Sequence, residues 1–67
     1  MSTFYDRLLA EKQELDERHG KLIDFLASDK INNLDARQIS LLNIQVNIMA
    51  AYSQVLLERI ALIEEPA

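Results

Sequence analysis

From Gln38 to Leu57 the chain carries no charged side chain at all. A bilayer span needs roughly 20 predominantly apolar residues. This stretch instead includes Gln38, Ser40, Asn43, Gln45, Asn47, Ser53 and Gln54, so a helix of a soluble assembly is the better expectation. At about 100° per residue, Ser40, Asn43, Asn47, Gln54, Glu58 and Glu65 fall within about 60° of one another. Nearly every other position from Ile39 to Ile63 is apolar. A helix that is apolar nearly all round is a buried one. One partner helix cannot cover so wide a surface, so the segment demands a bundle around it.

The rest of the chain supplies only one more helix. From Thr3 to about Ser28, Phe4, Leu8, Leu15, Leu22 and Leu26 recur at helical spacing. Asp6, Gln13, Glu17 and Asp24 gather on the opposite side. Ser2 or Thr3 can cap this helix, and Asp6 suits its first turn. Gly20 interrupts it at a cost of about 1 kcal/mol relative to Ala, leaving one helix with a possible bend. The run Ser28-Asp29-Lys30-Ile31-Asn32-Asn33 breaks the pattern, because short polar side chains compete for backbone hydrogen bonds. Asp35 with Gln38 three residues on reads as a capping box, and Leu34 can staple onto Ile39. Pro66 stops the second helix.

The expected fold class is therefore all-α: helix 1 over about 3–28, a loop over 29–34, and helix 2 over about 35–64. No strand alternation and no internal repeat is present, and residues 1–67 make a single domain. The short loop makes an antiparallel two-helix hairpin. Helix 1 is too short and too charged to cover helix 2, so the hairpin is expected to form a homo-oligomeric helical bundle, at least a dimer.

Size and composition remove most other classes. A 67-residue chain buries only about 60% of its unfolded surface and is marginal without a staple. It has no Cys and one His, so disulfides and a thiolate or imidazole metal site are not expected. A net charge of −4 argues against nucleic-acid binding. The first residues, Met1 to Arg7, show no basic region followed by an apolar core, so no secretory signal is expected and cytoplasmic residence follows by default. The Met start and the Pro66 end read as those of a whole small protein. Glu11, Glu14 and Glu17 lack the Glu-x-x-His pattern of a di-iron bundle. His19 reads as a solvated helix-face residue. No nucleophile–base arrangement or phosphate loop occurs, and neither catalysis nor a cofactor is expected.

Chemistry concentrates on the helix seams. On helix 2 the centre of the apolar face reads Leu42, Gln45, Met49, Tyr52, Leu56, Arg59, Ile63, so Gln45, Tyr52 and Arg59 form a column spaced by seven. Arg7, Glu11, Arg18 and Phe25 edge the helix 1 stripe, with Lys12 and His19 on its other flank. Antiparallel pairing with Leu22 near Leu42 brings Arg18 toward Gln45, Glu11 toward Tyr52 and Tyr5 toward Arg59. Two readings compete. In one, Glu11 satisfies Arg18 or Arg59 in a structural network that fixes register and oligomer state. In the other, arginines and tyrosines from several copies converge on a small-ligand pocket, guanidinium suiting phosphate and tyrosine a base or ribose.

Tyr5, Arg7, the spacing Glu11-x-x-x-Leu15, Lys21-Leu22, Phe25, Leu34, Leu41-Leu42, Gln45, Met49, Tyr52, Leu56 and Arg59-Ile60 resemble a family of very small phage-encoded helical hairpin proteins. Its members occur in crAss-like and other bacteriophages, and the resemblance covers nearly the whole chain. Small oligomeric phage proteins of this class include sponges for the nucleotide-derived signals of CBASS and Thoeris immunity. The resemblance implies an anti-defence protein in the cytoplasm of the infected host. It would bind a cyclic oligonucleotide or cyclic ADP-ribose signal without cleaving it, at Tyr5, Arg7, Glu11, Gln45, Tyr52 and Arg59, to which the seam geometry adds Arg18. The alternative is a helical interaction or structural module, an inhibitor of a host protein or a phage assembly factor, with a purely structural polar seam. Neither reading involves a metal, a membrane or a nucleic-acid polymer.

Overall fold

The computed structural model describes residues 3–65 as two helices joined by a single short turn of 3₁₀-helix. Ser2, the other candidate cap, and Pro66, the expected stop, lie outside the described residues. Helix α1 spans Phe4–Leu26. Thr3 caps it by accepting from the Asp6 amide at 3.0 Å, while Asp6 accepts from the Thr3 amide at 3.3 Å, a reciprocal capping box. Gly20 sits in this helix without a positive φ, and no atom lies within 4 Å of where its Cβ would be.

The break contains more structure than the expected loop. Asp29–Asn33 form the 3₁₀ turn. Ser28 donates its hydroxyl to the Phe25 carbonyl at 2.6 Å and accepts from the Lys30 amide at 3.2 Å, closing α1 and opening the turn with one side chain. Asp35 then caps α2, Ala36–Glu64, by accepting from the Gln38 amide at 2.8 Å.

The helices run antiparallel. Tyr5 near the start of α1 donates its hydroxyl to Glu64 at the end of α2, and Ser53 donates to Asp16 farther along at 2.6 Å. The result is a rod of 50 × 21 × 15 Å. Its fully packed core is very small: Leu8, Leu56 and Ile60, with Tyr5 and Leu15 against them.

Both packing faces follow a strict alternation of three- and four-residue steps. On α1 the inward line is Tyr5, Leu8, Lys12, Leu15, His19, Leu22 and Leu26, each buried or half-buried. On α2 it is Ile39, Leu42, Val46, Met49, Ser53, Leu56 and Ile60. This is the spacing of a coiled-coil seam. Lys12 and His19, expected on the flank of the α1 stripe, are thus half-buried within it. A lysine fits there because its apolar stem lies along the seam while its ammonium reaches Asp16 at 2.6 Å.

Candidate functional site

The α1-facing seam of α2 differs from the expected one. Leu42, Met49 and Leu56 belong to it, but Gln45, Tyr52 and Arg59 are exposed, and Val46, Ser53 and Ile60 take the inward places. The physical reason is the width of the apolar arc on α2. Rotating the helix by about 50° exchanges one apolar set for another at little cost, and α1 takes the set without the polar column.

The three polar residues stand instead on a second line: Leu41, Gln45, Ile48, Tyr52, Val55, Arg59, Leu62. All seven are exposed, and the five large apolar or aromatic ones range from 43% at Tyr52 to 70% at Leu62. The steps are again four and three, so this is a second seam, turned about 120° round the helix from the first. It places a polar group in every second layer between apolar ones.

The expected pairings across the hairpin are replaced by others. The Arg59 guanidinium lies over the Phe4 ring, 5.8 Å from its centroid, instead of meeting Tyr5. At this distance guanidinium and ring attract modestly, as exposed cation–π pairs do. Tyr5 reaches past it to Glu64. That hydrogen bond, with the Glu64 charge beside it, holds the Tyr5 phenol above its ordinary pKa, because ionising it would set two anions together. Arg7, Glu11 and Arg18 are exposed on α1, and no hydrogen bond or ion pair joins Glu11 to either arginine or to Tyr52.

A second polar cross-link between the helices, Asp16 with Ser53, involves neither of the expected sets. Asp16 also accepts from Lys12, and these two hydrogen bonds hold its carboxyl below the usual range, the Lys12 contact being the larger cause. The spacing from Leu8 to Lys12 to Leu15 to His19 was the signal for this arrangement, since it continues the seam through both polar residues.

None of Tyr5, Arg7, Glu11, Arg18, Gln45, Tyr52 and Arg59 lines either of two surface grooves of the hairpin. A groove of about 460 Å³ runs along Leu9, Lys12, Gln13, Asp16 and Glu17. Another, of about 700 Å³, lies at the end of α2 among Glu58, Ala61, Leu62, Glu64 and Glu65. Both contain carboxylates, which disfavour an anion. Among the described residues no cluster of His, Asp and Glu is arranged to hold a metal ion.

What the hairpin does present is an exposed arginine, tyrosine and glutamine in file on an apolar face. Nothing among curated proteins or solved structures matches the chain. A protein-family model described as Sequestin matches residues 2–62, which takes in α1, all but the last two residues of α2 and every residue of the polar column. The match extends over nearly the entire hairpin, and on that ground the chain belongs to the Sequestin family.

Proposed function

We propose that this protein sequesters a nucleotide-derived immune signal, of the cyclic oligonucleotide or cyclic ADP-ribose type, and releases it unaltered. The family name denotes sequestration, and it is the cargo that the proposal adds. The observation that carries it is the file of Gln45, Tyr52 and Arg59 on an apolar surface that α1 leaves open. Arginine offers a planar fork to phosphate, tyrosine a face for a base and a hydroxyl for ribose, and glutamine both a donor and an acceptor.

Arg7, Arg18 and Arg59 serve the phosphates, Tyr52 and Tyr5 the base or ribose, Gln45 a polar edge, and Glu11 a ribose hydroxyl or the orientation of an arginine. These groups lie apart in one hairpin, so the reading requires association of copies. To donate its hydroxyl to a ligand, Tyr5 must also give up Glu64. Binding without turnover needs no catalytic group. The setting is the cytoplasm of a phage-infected bacterium, where a sponge competes with the host receptor by affinity alone.

Calorimetry with a panel of cyclic di- and trinucleotides and cyclic ADP-ribose isomers tests this, followed by denaturation and recovery of the ligand. Heat of binding and intact recovered ligand are expected. No binding across the panel, at protein concentrations far above signal levels, would sink the proposal.

A second reading draws on the same surface. Ile48 and Leu62, 62% and 70% exposed, give α2 an apolar face that fits a protein partner. In that case the hairpin captures a host or phage protein, and the polar column sets register. The double variant Tyr52→Ala with Arg59→Ala separates the two readings. Loss of ligand with the assembly intact supports sequestration of a small molecule. Weakened assembly supports the structural role.

A further inference from the structure

The outer seam of α2 leaves the hairpin with far too much surface. A compact monomer of 7.7 kDa exposes about 4,300 Å² by the usual scaling of surface with mass. This chain exposes 5345 Å². The surplus of about 1,000 Å² is the amount one partner contributes to a standard interface, about 800 Å². The three buried side chains among the described residues are also too few to hold a domain of this size by themselves.

A second copy is the occupant that the seam itself describes. It repeats in steps of three and four, so an identical line can interdigitate with it, as in a bundle. The polar column then decides the direction. Parallel, in-register docking would set Arg59 against Arg59 and Tyr52 against Tyr52 in the same layers. Two guanidinium groups facing each other across a desolvated seam are strongly penalised. Antiparallel docking puts each polar residue opposite an apolar one and separates the two arginines along the axis.

We propose that the outer seam of α2 is covered by the same seam of a second copy running antiparallel, so that Arg59 of one chain lies beside the partner's Gln45. Two registers overlay six layers of the seam. One sets Arg59 opposite the partner's Ile48, the other opposite the partner's Leu41. In both, the partner's Gln45 occupies the neighbouring layer. From Gln38 to Leu57 the partner helix is uncharged, so Arg59 meets no carboxylate there. An anion held between Arg59 and the partner's Gln45 is the natural complement of that position. The inference thus deepens the sequestration reading, on which it rests, by making the site a shared one.

A bilayer is the competing cover. Helix α2 is long and apolar enough to cross a membrane by length and composition, with 11% of its most apolar window buried. But the charged α1 lies along one flank, and Ser40, Asn43, Asn47, Gln54 and Glu58 run along another. Hydrocarbon would have to solvate both.

The chain has no cysteine, so introduced ones report the geometry cleanly. In either antiparallel register two copies of residue 62 are about 25 Å apart or more, far beyond the roughly 7 Å limit of a disulfide. Leu62→Cys alone is therefore expected to stay monomeric on denaturing gels after mild oxidation. A mixture of Gln45→Cys with Leu62→Cys, or with Val55→Cys, is expected to give a covalent dimer. Light scattering on the unsubstituted chain is expected to give at least twice the monomer mass.

Self-linking of Leu62→Cys would make the pairing parallel and overturn the proposal. So would a monomer mass, absence of cross-linking in both mixtures, or a monomeric chain that pellets with phosphatidylcholine vesicles. All these measurements are made without nucleotide. Their failure is thereby distinguished from failure of ligand binding, which calorimetry reads.

Discussion

Ser53 donates its hydroxyl to the Asp16 carboxylate at 2.6 Å, from the middle of one helix to the middle of the other. It is a polar side chain at an inward position of an otherwise apolar seam, and it fixes which layer of α2 meets which layer of α1. Lys12 completes the arrangement from one turn before Asp16.

The first prediction concerns acid. The Asp16 carboxyl is held below its ordinary value in the folded chain, so it contributes stability that is present above the ordinary carboxylate pKa, about 4. That contribution is lost as the pH falls through the lowered value. Carbonyl-carbon NMR titration should show Asp16 titrating low. In Lys12→Met its midpoint should move up, and in Ser53→Ala it should move up by less, in keeping with the order of the causes. An unchanged midpoint in both would remove the cross-link from the account.

At the other end of the hairpin the sign reverses. Tyr5 is held neutral by Glu64, so its contribution is present below the ordinary phenol pKa of about 10 and lost as pH rises through the raised value. Absorbance titration should show Tyr5 ionising above the ordinary phenol range, and Glu64→Gln should lower that transition. If ligand binding recruits Tyr5, Glu64→Gln should also tighten it, because the ligand then has no carboxylate to displace.

Leu56 is completely buried against Leu8 and Ile60. Truncation to alanine removes the centre of a three-residue core, at a cost of about 2–5 kcal/mol. Thermal unfolding followed by circular dichroism should show a large fall in midpoint, or no folded chain at all. Gly20→Ala should act oppositely. The helix has room for the methyl group, and alanine is favoured there by about 1 kcal/mol. A weakened assembly in Gly20→Ala would instead mark this turn of α1 as a place of close approach between copies.

The shared site has its own consequence. If Arg59 and Gln45 act from different chains, Arg59→Ala and Gln45→Ala should each lose ligand, while an equilibrated mixture regains binding. Each mixed dimer contains one intact pair and one doubly broken one. Ligand titration of the mixture should recover about a quarter of the sites. A mixture as inactive as its components would place both residues on the same chain.

Much of the fold was legible in short-range signals. Thr3 and Asp35 cap the two helices where the sequence places them, because caps are local hydrogen bonds within four residues of chain, though Asp35 accepts from the Gln38 amide without the Gln38 side chain returning to complete the expected box. The site was legible only as a column. Gln45, Tyr52 and Arg59 stand in file wherever α2 is turned, but whether that file faces α1 or the outside depends on contacts between distant residues.

By itself, then, the sequence determined two helices, their caps, their antiparallel return and the excess of apolar surface on the second. Only the tertiary structure decided which side of α2 is covered. An apolar arc this wide offers several seams of similar hydrophobic value, and periodicity cannot rank them. The ranking came from α1, whose line through Leu8, Lys12, Leu15 and His19 meets Ile60, Leu56, Ser53 and Met49 with Asp16 bonded to Ser53. Burying Arg59 there would have cost its hydration without a carboxylate in return. That cost leaves the polar column outside, where a second chain and a ligand can reach it.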